Sequence, residues 1–358
     1  MIRKLAVVGE YFRLPGEIYS YTTMKNGNIN ATYRVAFRHA DGSVKSYIFQ
    51  RINTHVFRDP VAIMENIDRV TEHIRAKRTG EVALHFHHSA GGLNYMLDDD
   101  DGFWRVMNYI DSTTFDLSDD LSVIYETGVA FGRFQLQLAD FDGATLHETI
   151  PDFHNTKKRL DTLFAAAAAD RVYRADVVTE ELAYLESVRA RAERLSVAFS
   201  RGEYPARVTH NDTKCNNVLF DKKTKKPLVV IDLDTVMPGM SMYDFADAAR
   251  FICSSTVEDE PDTFRVFFDL EKFRALARGY VGTVRAHVTP AEIDTLVEAT
   301  FAITIEIAAR FLSDYLEGDV YFKTLYPEHN LVRARCQIAL AKSILSQWEE
   351  MEAIIREV

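Results

Sequence analysis

Cysteine is scarce in this chain of 358 residues: there are three, Cys215, Cys253 and Cys336, with no C-x-x-C pair among them. A disulfide framework and a structural zinc both need paired sulfur ligands, so neither is expected and the implied compartment is reducing. Long apolar runs are missing as well. None reaches the roughly 18 residues that a membrane-spanning helix needs, and the opening M-I-R-K-L-A-V-V-G-E has too short an apolar stretch for a secretory signal, reading instead as an amphipathic helix. A cytoplasmic protein with no membrane partner is the expectation. Positive charge is also in deficit, with 42 Lys and Arg against 53 Asp and Glu and a formal charge of -11, which argues against a nucleic-acid surface. The one basic cluster, residues 222–226, reads as a solvated turn. What remains is a globular composition, 47% apolar and 27% charged, long enough for two lobes because single cores usually stop growing at roughly 250 to 300 residues.

Along the chain the first part is rich in strands. Residues 19–24, 31–38 and 44–53 alternate or run β-branched, with Asn26-Gly27-Asn28 and Asp41-Gly42 as turns between them. Pro60 opens a helical spacing over residues 61–78; turns at Gly91-Gly92 and 98–102 flank a further strand, and another spans 103–110. From Leu121 onward helices dominate, at 121–138, 179–199, 270–284 and 293–316, and no internal repeat is visible. The fold class is therefore α+β, with a small antiparallel sheet first (residues 1–111) and a larger, mainly helical part after it (112–358). His85 and His87 share a strand face but lack an acidic or sulfur partner at ligand spacing, so a strand edge is the expected role. The run from Asp98 to Asp101 lacks the alternating oxygen spacing of a calcium loop.

Chemistry concentrates between Val208 and Asp234. There the chain reads V-T-H-N-D-T-K-C-N-N-V-L-F-D, a turn, then P-L-V-V-I-D-L-D. Phosphoryl transfer from ATP to an alcohol asks a protein to orient the hydroxyl, accept its proton late and hold magnesium on the phosphates. Asp212 is placed to accept that proton, Asn217 offers a neutral oxygen to Mg2+, and Asp232 offers an anionic one. Residues 218–220 and 228–231 read as a hairpin that carries Asn217 and Asp232 toward one end. His210 is expected to brace the loop. Asp234 could touch a second magnesium or cap the turn. Asp244 could cap a helix or tie down the loop, and Cys215 is expected to pack.

The H-x-D-x-x-x-x-N stretch followed by I-D-x-D, Pro238-Gly239 and Tyr243-Asp244-Phe245 resembles the aminoglycoside phosphotransferase and choline kinase superfamily, a branch of the protein-kinase-like fold. R-V-T-H-N-D-T-K-x-N-N, I-D-L-D-T-V-M-P-G, S-T-x-E-D-E and the long tail R-F-L-S-D-Y-L-E-G-D-V-Y-F-x-T-x-Y-P-E-H-N-L-V-R further resemble the N-acetylhexosamine 1-kinases. The resemblance implies a bilobal kinase-like fold, ATP and Mg2+ as cofactors, and N-acetylglucosamine or N-acetylgalactosamine as acceptor, phosphorylated at O1. ATP would then lie under the hinge, where backbone groups from Met107 to Tyr109 and Ile110 could pair with adenine. Gly27 and Asn28 become a candidate phosphate loop, although an Asn-Gly turn between strands is also an ordinary hairpin.

Family members usually place a basic residue on the third strand to hold the α- and β-phosphates, and this chain has Gln50 there. Lys214 is a candidate to supply charge at the γ-phosphate; alternation points Arg51 to the opposite face. The resemblance also assigns Arg310 and Tyr321 to the sugar, against the plain alternative of an Arg310–Asp314 surface pair four apart on a helix. The expected activity is transfer of the γ-phosphoryl group to the anomeric hydroxyl by a monomer. Another small-molecule kinase, acting on choline, homoserine or an aminoglycoside, remains the alternative, as does a nucleotide-binding pseudokinase suggested by Gln50.

Overall fold

The computed structural model describes residues 1–24 and 29–358, so the Asn26-Gly27-Asn28 turn, with the candidate phosphate-loop residues Gly27 and Asn28, lies outside the described residues. Helix α1 (Ile2–Tyr11) precedes strands β1 (Glu17–Met24), β2 (Ala31–Arg38) and β3 (Val44–Ile52), followed by α2 (Pro60–Ala76), β4 (Met96–Leu97) and β5 (Phe103–Asn108). These five strands form one antiparallel sheet in the order β1-β2-β3-β5-β4. Period-two alternation sorts its faces. Tyr33, Val35, Phe37, Tyr47, Phe49, Trp104 and Val106 pack with Leu5 and Val8 of α1, whereas Ile52, Phe103 and Met107 turn to the other side and pack with Ile63, Met64, Ile67 and Val70 of α2. Gln50 and Arg105, paired across β3 and β5, share that second face. Helix α2 begins where expected because Asp59 accepts from Ala62 N at 3.0 Å and Pro60 occupies the first turn.

The remainder is mainly helical: α3 (Leu121–Gln137), α4 (Thr156–Ala169), α5 (Thr179–Ala192) and α6 (Arg194–Ser200), then short strands β6 (Arg207–Thr209), β7 (Val218–Phe220), β8 (Pro227–Val230) and β9 (Met237–Gly239). Helices α7 (Ser241–Ile252), α8 (Leu270–Val284), α9 (Pro290–Asp294), α10 (Leu296–Leu316), α11 (His329–Ser346) and α12 (Trp348–Glu357) complete the chain. Nearly all of α10 is buried, so the other helices pack around it. Two expected helices are each broken in two. Residues 179–199 divide at Glu193, and 293–316 divides at Thr295, where a Thr289–Glu292 capping box has already started a separate short helix at Pro290. Helices α3 and α8 cross at backbone contact. A Cβ on Gly279 would stand 2.1 Å from the Tyr125 carbonyl oxygen. No helix among the described residues is long and apolar enough to cross a membrane.

Candidate active site

His210, Asn211 and Asp212 follow β6 directly, and buried side chains fix their backbone. Asp244, inside the first turn of α7, accepts from His210 N and Asn211 N at 2.9 Å each and from Gln135 Nε2 at 2.7 Å. Burial pushes its carboxyl up, and the His210 side chain and these N–H groups counter that. Of the two roles open to Asp244 from sequence, it therefore ties the loop; the N-cap of α7 is Met240. His210 accepts from Asp212 N at Nδ1 (3.3 Å) and lies 2.9 Å from Ile231 O at Nε2, which fixes the proton on Nε2 and uses both nitrogens for bracing. Asn211 sits in the left-handed region with φ 66°, tolerable for Asn and locked because its Nδ2 donates to Thr235 O at 2.8 Å.

The β7–β8 hairpin pairs Val218 with Val230, and Ile231 N donates to Asn217 O at 2.8 Å, so Asn217 and Asp232 meet at one end of it. Asn217 Nδ2 reaches Asp212 O at 2.8 Å and Asp212 Oδ2 at 3.2 Å, which turns its Oδ1 away from Asp212. Lys214 Nζ stands 2.7 Å from Asp212 Oδ1. Burial alone would lower the Lys214 ammonium, and the neighbouring Asp212 carboxylate outweighs it and raises it. Asp232 also has left-handed backbone, φ 62°. Asp232 is exposed to solvent, yet protein atoms crowd its carboxyl: burial first, then the charges of Asp234 and Asp212, push it up to about 6.

Asp234, two residues on, is buried and forms an ion pair with Arg105 of β5, while Asn30 Nδ2 donates to its other oxygen at 2.7 Å. Arg105 Nε in turn donates to Gln50 Oε1 at 2.9 Å, and Gln50 Nε2 to Thr32 Oγ1 at 3.1 Å. Arg105 and Asn30 were not among the residues singled out from sequence, although a lone charge inside F-W-R-V-M is itself a signal. Met107 lies within the sheet between Ile48 and Phe86, and the chain leaves β5 at Tyr109, whose ring carries Arg34 at 4.0 Å and whose hydroxyl donates to Asp111 at 3.2 Å. Arg51 lies exposed on the opposite sheet face, beside Gly102. Among the described residues His85 and His87 take part in no metal cluster; their rings pack 4.8 Å apart and Arg75 contacts His85 Nδ1 at 2.8 Å. Cys215 is buried against Thr127 with its thiol pushed up to about 11 by burial, a packing residue.

Beyond Asn211 the wall gathers cationic side chains around one buried acid. His154 Nε2 lies 3.2 Å from Asn211 O and its Nδ1 lies 2.9 Å from the fully buried Glu306. Enclosure would lower the His154 imidazole, and Glu306 more than offsets it, raising it. Beside it, the Arg310 guanidinium is flanked by the rings of Phe153 and Phe322, each 5.5 Å away. Arg159 donates to Phe153 O at 3.1 Å, and its buried Nε has no partner among the described residues. Arg310 does not pair with Asp314. That residue is buried and accepts from Val320 N, Tyr321 N and Phe322 N at 2.7–2.9 Å and from Asn330 Nδ2 at 2.8 Å, so it shapes the loop that presents Tyr321. The Tyr321 ring packs edge-on to Phe322 and is 68% exposed.

Among the described residues no three His, Cys, Asp or Glu side chains converge as metal ligands. Asn217 and Asp232, with Asp234 close by, instead offer a sparse oxygen set. Such a set suits magnesium, which keeps several waters and takes one or two carboxylates together with substrate phosphates.

The sequence profile of the phosphotransferase enzyme family, APH, matches residues 20–277. Among solved structures, the microcompartment-associated aminopropanol kinase superposes with a TM-score of 0.63 at 18% identity, covering 95% of this chain and 98% of that one. An aminoglycoside phosphotransferase from Alicyclobacillus acidocaldarius gives 0.59 at 13%, covering 99% and 96%. A spectinomycin phosphotransferase in complex with ADP and spectinomycin gives 0.55 at 11%, covering 99% and 98%. At these identities the likeness is one of fold, the small sheet followed by a helical part that kinase-like proteins share.

Proposed function

This chain belongs to the phosphotransferase enzyme family, and from that premise we propose that it is an ATP-dependent small-molecule kinase whose acceptor is an N-acetylhexosamine, phosphorylated at the anomeric oxygen. The observation that carries the phosphotransfer reading is the convergence of Asp212, Asn217 and Asp232 on one end of the β7–β8 hairpin. Asp212 orients the acceptor hydroxyl and takes its proton as the bond to phosphorus forms. Lys214 holds that carboxylate and adds positive charge beside the incoming phosphoryl group. Asn217 and Asp232 hold magnesium, which when bound screens the charge of the phosphate oxygens. The Met107–Tyr109 edge flanks the base of the nucleotide, its backbone contacts falling at Tyr109 where the chain leaves the sheet. Gln50 serves the phosphates.

Acceptor class follows from charge. Kinases of cationic amines or aminoglycosides need anionic walls, whereas here Arg310 and Arg159 gather on Phe153 beside His154, which pairs with Glu306 and reaches the Asn211 carbonyl next to Asp212. A neutral polyhydroxyl acceptor fits that wall, an Arg fork suiting vicinal hydroxyls and Tyr321 offering a ring and a hydroxyl. The resemblance of residues 310–333 to hexosamine kinases agrees. An acceptor panel of N-acetylglucosamine, N-acetylgalactosamine, glucose, choline, ethanolamine, homoserine and kanamycin, read by ADP release with the product position assigned by phosphorus NMR, tests this. Turnover is expected with the N-acetylhexosamines at carbon one. Turnover confined to the amines overturns the acceptor assignment, and nucleotide binding without ADP release on any acceptor overturns the kinase.

A further inference from the structure

A nucleotide triphosphate brings several negative charges into a cleft that already holds Asp212, Asp232 and Asp234. The sheet face over that cleft offers the neutral Gln50, so compensating charge must come from another element. Arg51 points away, and Arg34 is spent on the Tyr109 ring at the sheet's edge. Arg105 differs from both. It is 1% exposed, stands directly across the ladder from Gln50, and reaches past it to Asp234. Its guanidinium also contacts Met64 Sδ of α2 at 3.8 Å and lies 5.6 Å from the Phe86 ring, which places one charge at the junction of β3, β5, α2 and the loop after β8.

We propose that Arg105 is the positioning cation of the nucleotide site: from β5 it supplies the positive charge that β3 lacks at Gln50, and its fork fixes the Gln50 amide for the phosphates while holding the buried Asp234 carboxylate in place. Five guanidinium donors make both contacts possible at once, which a single ammonium could not do with the same geometry. Gln50 is thereby fixed at both ends, its oxygen on Arg105 and one amide proton on Thr32, leaving the second amide proton for a phosphate oxygen. Asp234 is held within range of Asp232 without the full mutual repulsion of two bare carboxylates. The inference rests on the nucleotide-dependent reading given above.

The test separates charge from architecture by moving the charge. Arg105→Gln and the double variant Gln50→Lys/Arg105→Gln both lose the fork, and only the second restores a cation on this face. Titration calorimetry with ADP and MgCl2 on the whole chain is expected to show Arg105→Gln weakened by at least about tenfold, the worth of one charge-assisted contact, and the double variant recovering most of that loss. Equal ADP affinity in the two variants overturns the inference, as does wild-type affinity in Arg105→Gln. Removing one partner of a buried ion pair can unfold a protein, so the same two variants made in an Asp234→Asn background, which removes the stranded acid, give the comparison if the first pair does not fold. Failure of the wild-type chain to bind ADP at all would remove the nucleotide reading itself, a distinct result.

Discussion

Asp212 meets two demands with its two oxygens: Oδ1 faces Lys214 and Oδ2 faces the Asn217 amide. Replacing it with Asn keeps the size and removes the carboxylate proposed as the base. Asp212→Asn is expected to lose about a thousandfold in kcat with an unchanged circular dichroism spectrum; retention of a tenth of the rate would defeat the base assignment. Asp232 carries the pH dependence. Its folded value, about 6, lies above that of an unfolded aspartate. Between those two values the folded chain keeps a proton that the unfolded chain has given up, so this group takes stability away as pH rises through the window, and a bound cation gives it back. Millimolar MgCl2 with ADP should therefore raise Tm strongly at pH 7.5 and weakly at pH 5. Asp232→Asn should match or exceed the wild-type Tm without ligand and lose the metal-dependent part of the rise. The convergence of Asp212, Asn217 and Asp232 was legible in the sequence because each lies within a short, local motif. Arg105 was not, since its meaning depends on Asp234, 129 residues away.

At the scale of elements, local signals served well where one element explains its own boundaries. Strand 31–38 and helix 270–284 end as read, and the 218–220 strand pairs in the expected hairpin. The breaks at Glu193 and Thr295 escaped, because apolar residues recur on both sides of each while only the backbone at the break residue (φ -84°, ψ -8° and φ -97°, ψ 3°) departs from the helix. The β6–β9 pair escaped too: three residues on each side are too few for a periodic signal, and their closest pairing, Thr209 with Met237, spans a sequence separation of 28. The Arg310–Asp314 surface pair, the plain alternative that spacing of four on a helix offered, does not form, because Asp314 turns inward to hold the loop at 320–322. Asp314→Ala would strand three backbone N–H groups at a cost of about 3 kcal/mol. It should lower the urea midpoint and raise KM for the acceptor while leaving ADP affinity unchanged.

Across the whole molecule, the helical part is assembled by contacts too close for side chains at some crossings. Gly279 of α8 lies against the Tyr125 carbonyl, whereas at Gly282, one turn on, an added methyl would meet nothing within 4 Å. Gly279→Ala should destabilise by about 3 kcal/mol through overpacking, and Gly282→Ala should stabilise by roughly 0.5–1 kcal/mol through helix propensity. Opposite shifts in urea midpoint from two identical substitutions on one helix check both. The composition suggested two lobes and the motif order suggested kinase-like architecture; the matched profile over residues 20–277 and the shared fold agree with the second of these.

The contact from His154 to the Asn211 carbonyl means that α10, through Glu306, is mechanically joined to the residue preceding Asp212. Retargeting this scaffold to a new acceptor by grafting a foreign α10 alone would thus detune the proposed proton acceptor along with the proposed pocket. Libraries that vary 153–154 and 306–310 as one block should yield active variants far more often than libraries that vary either segment singly.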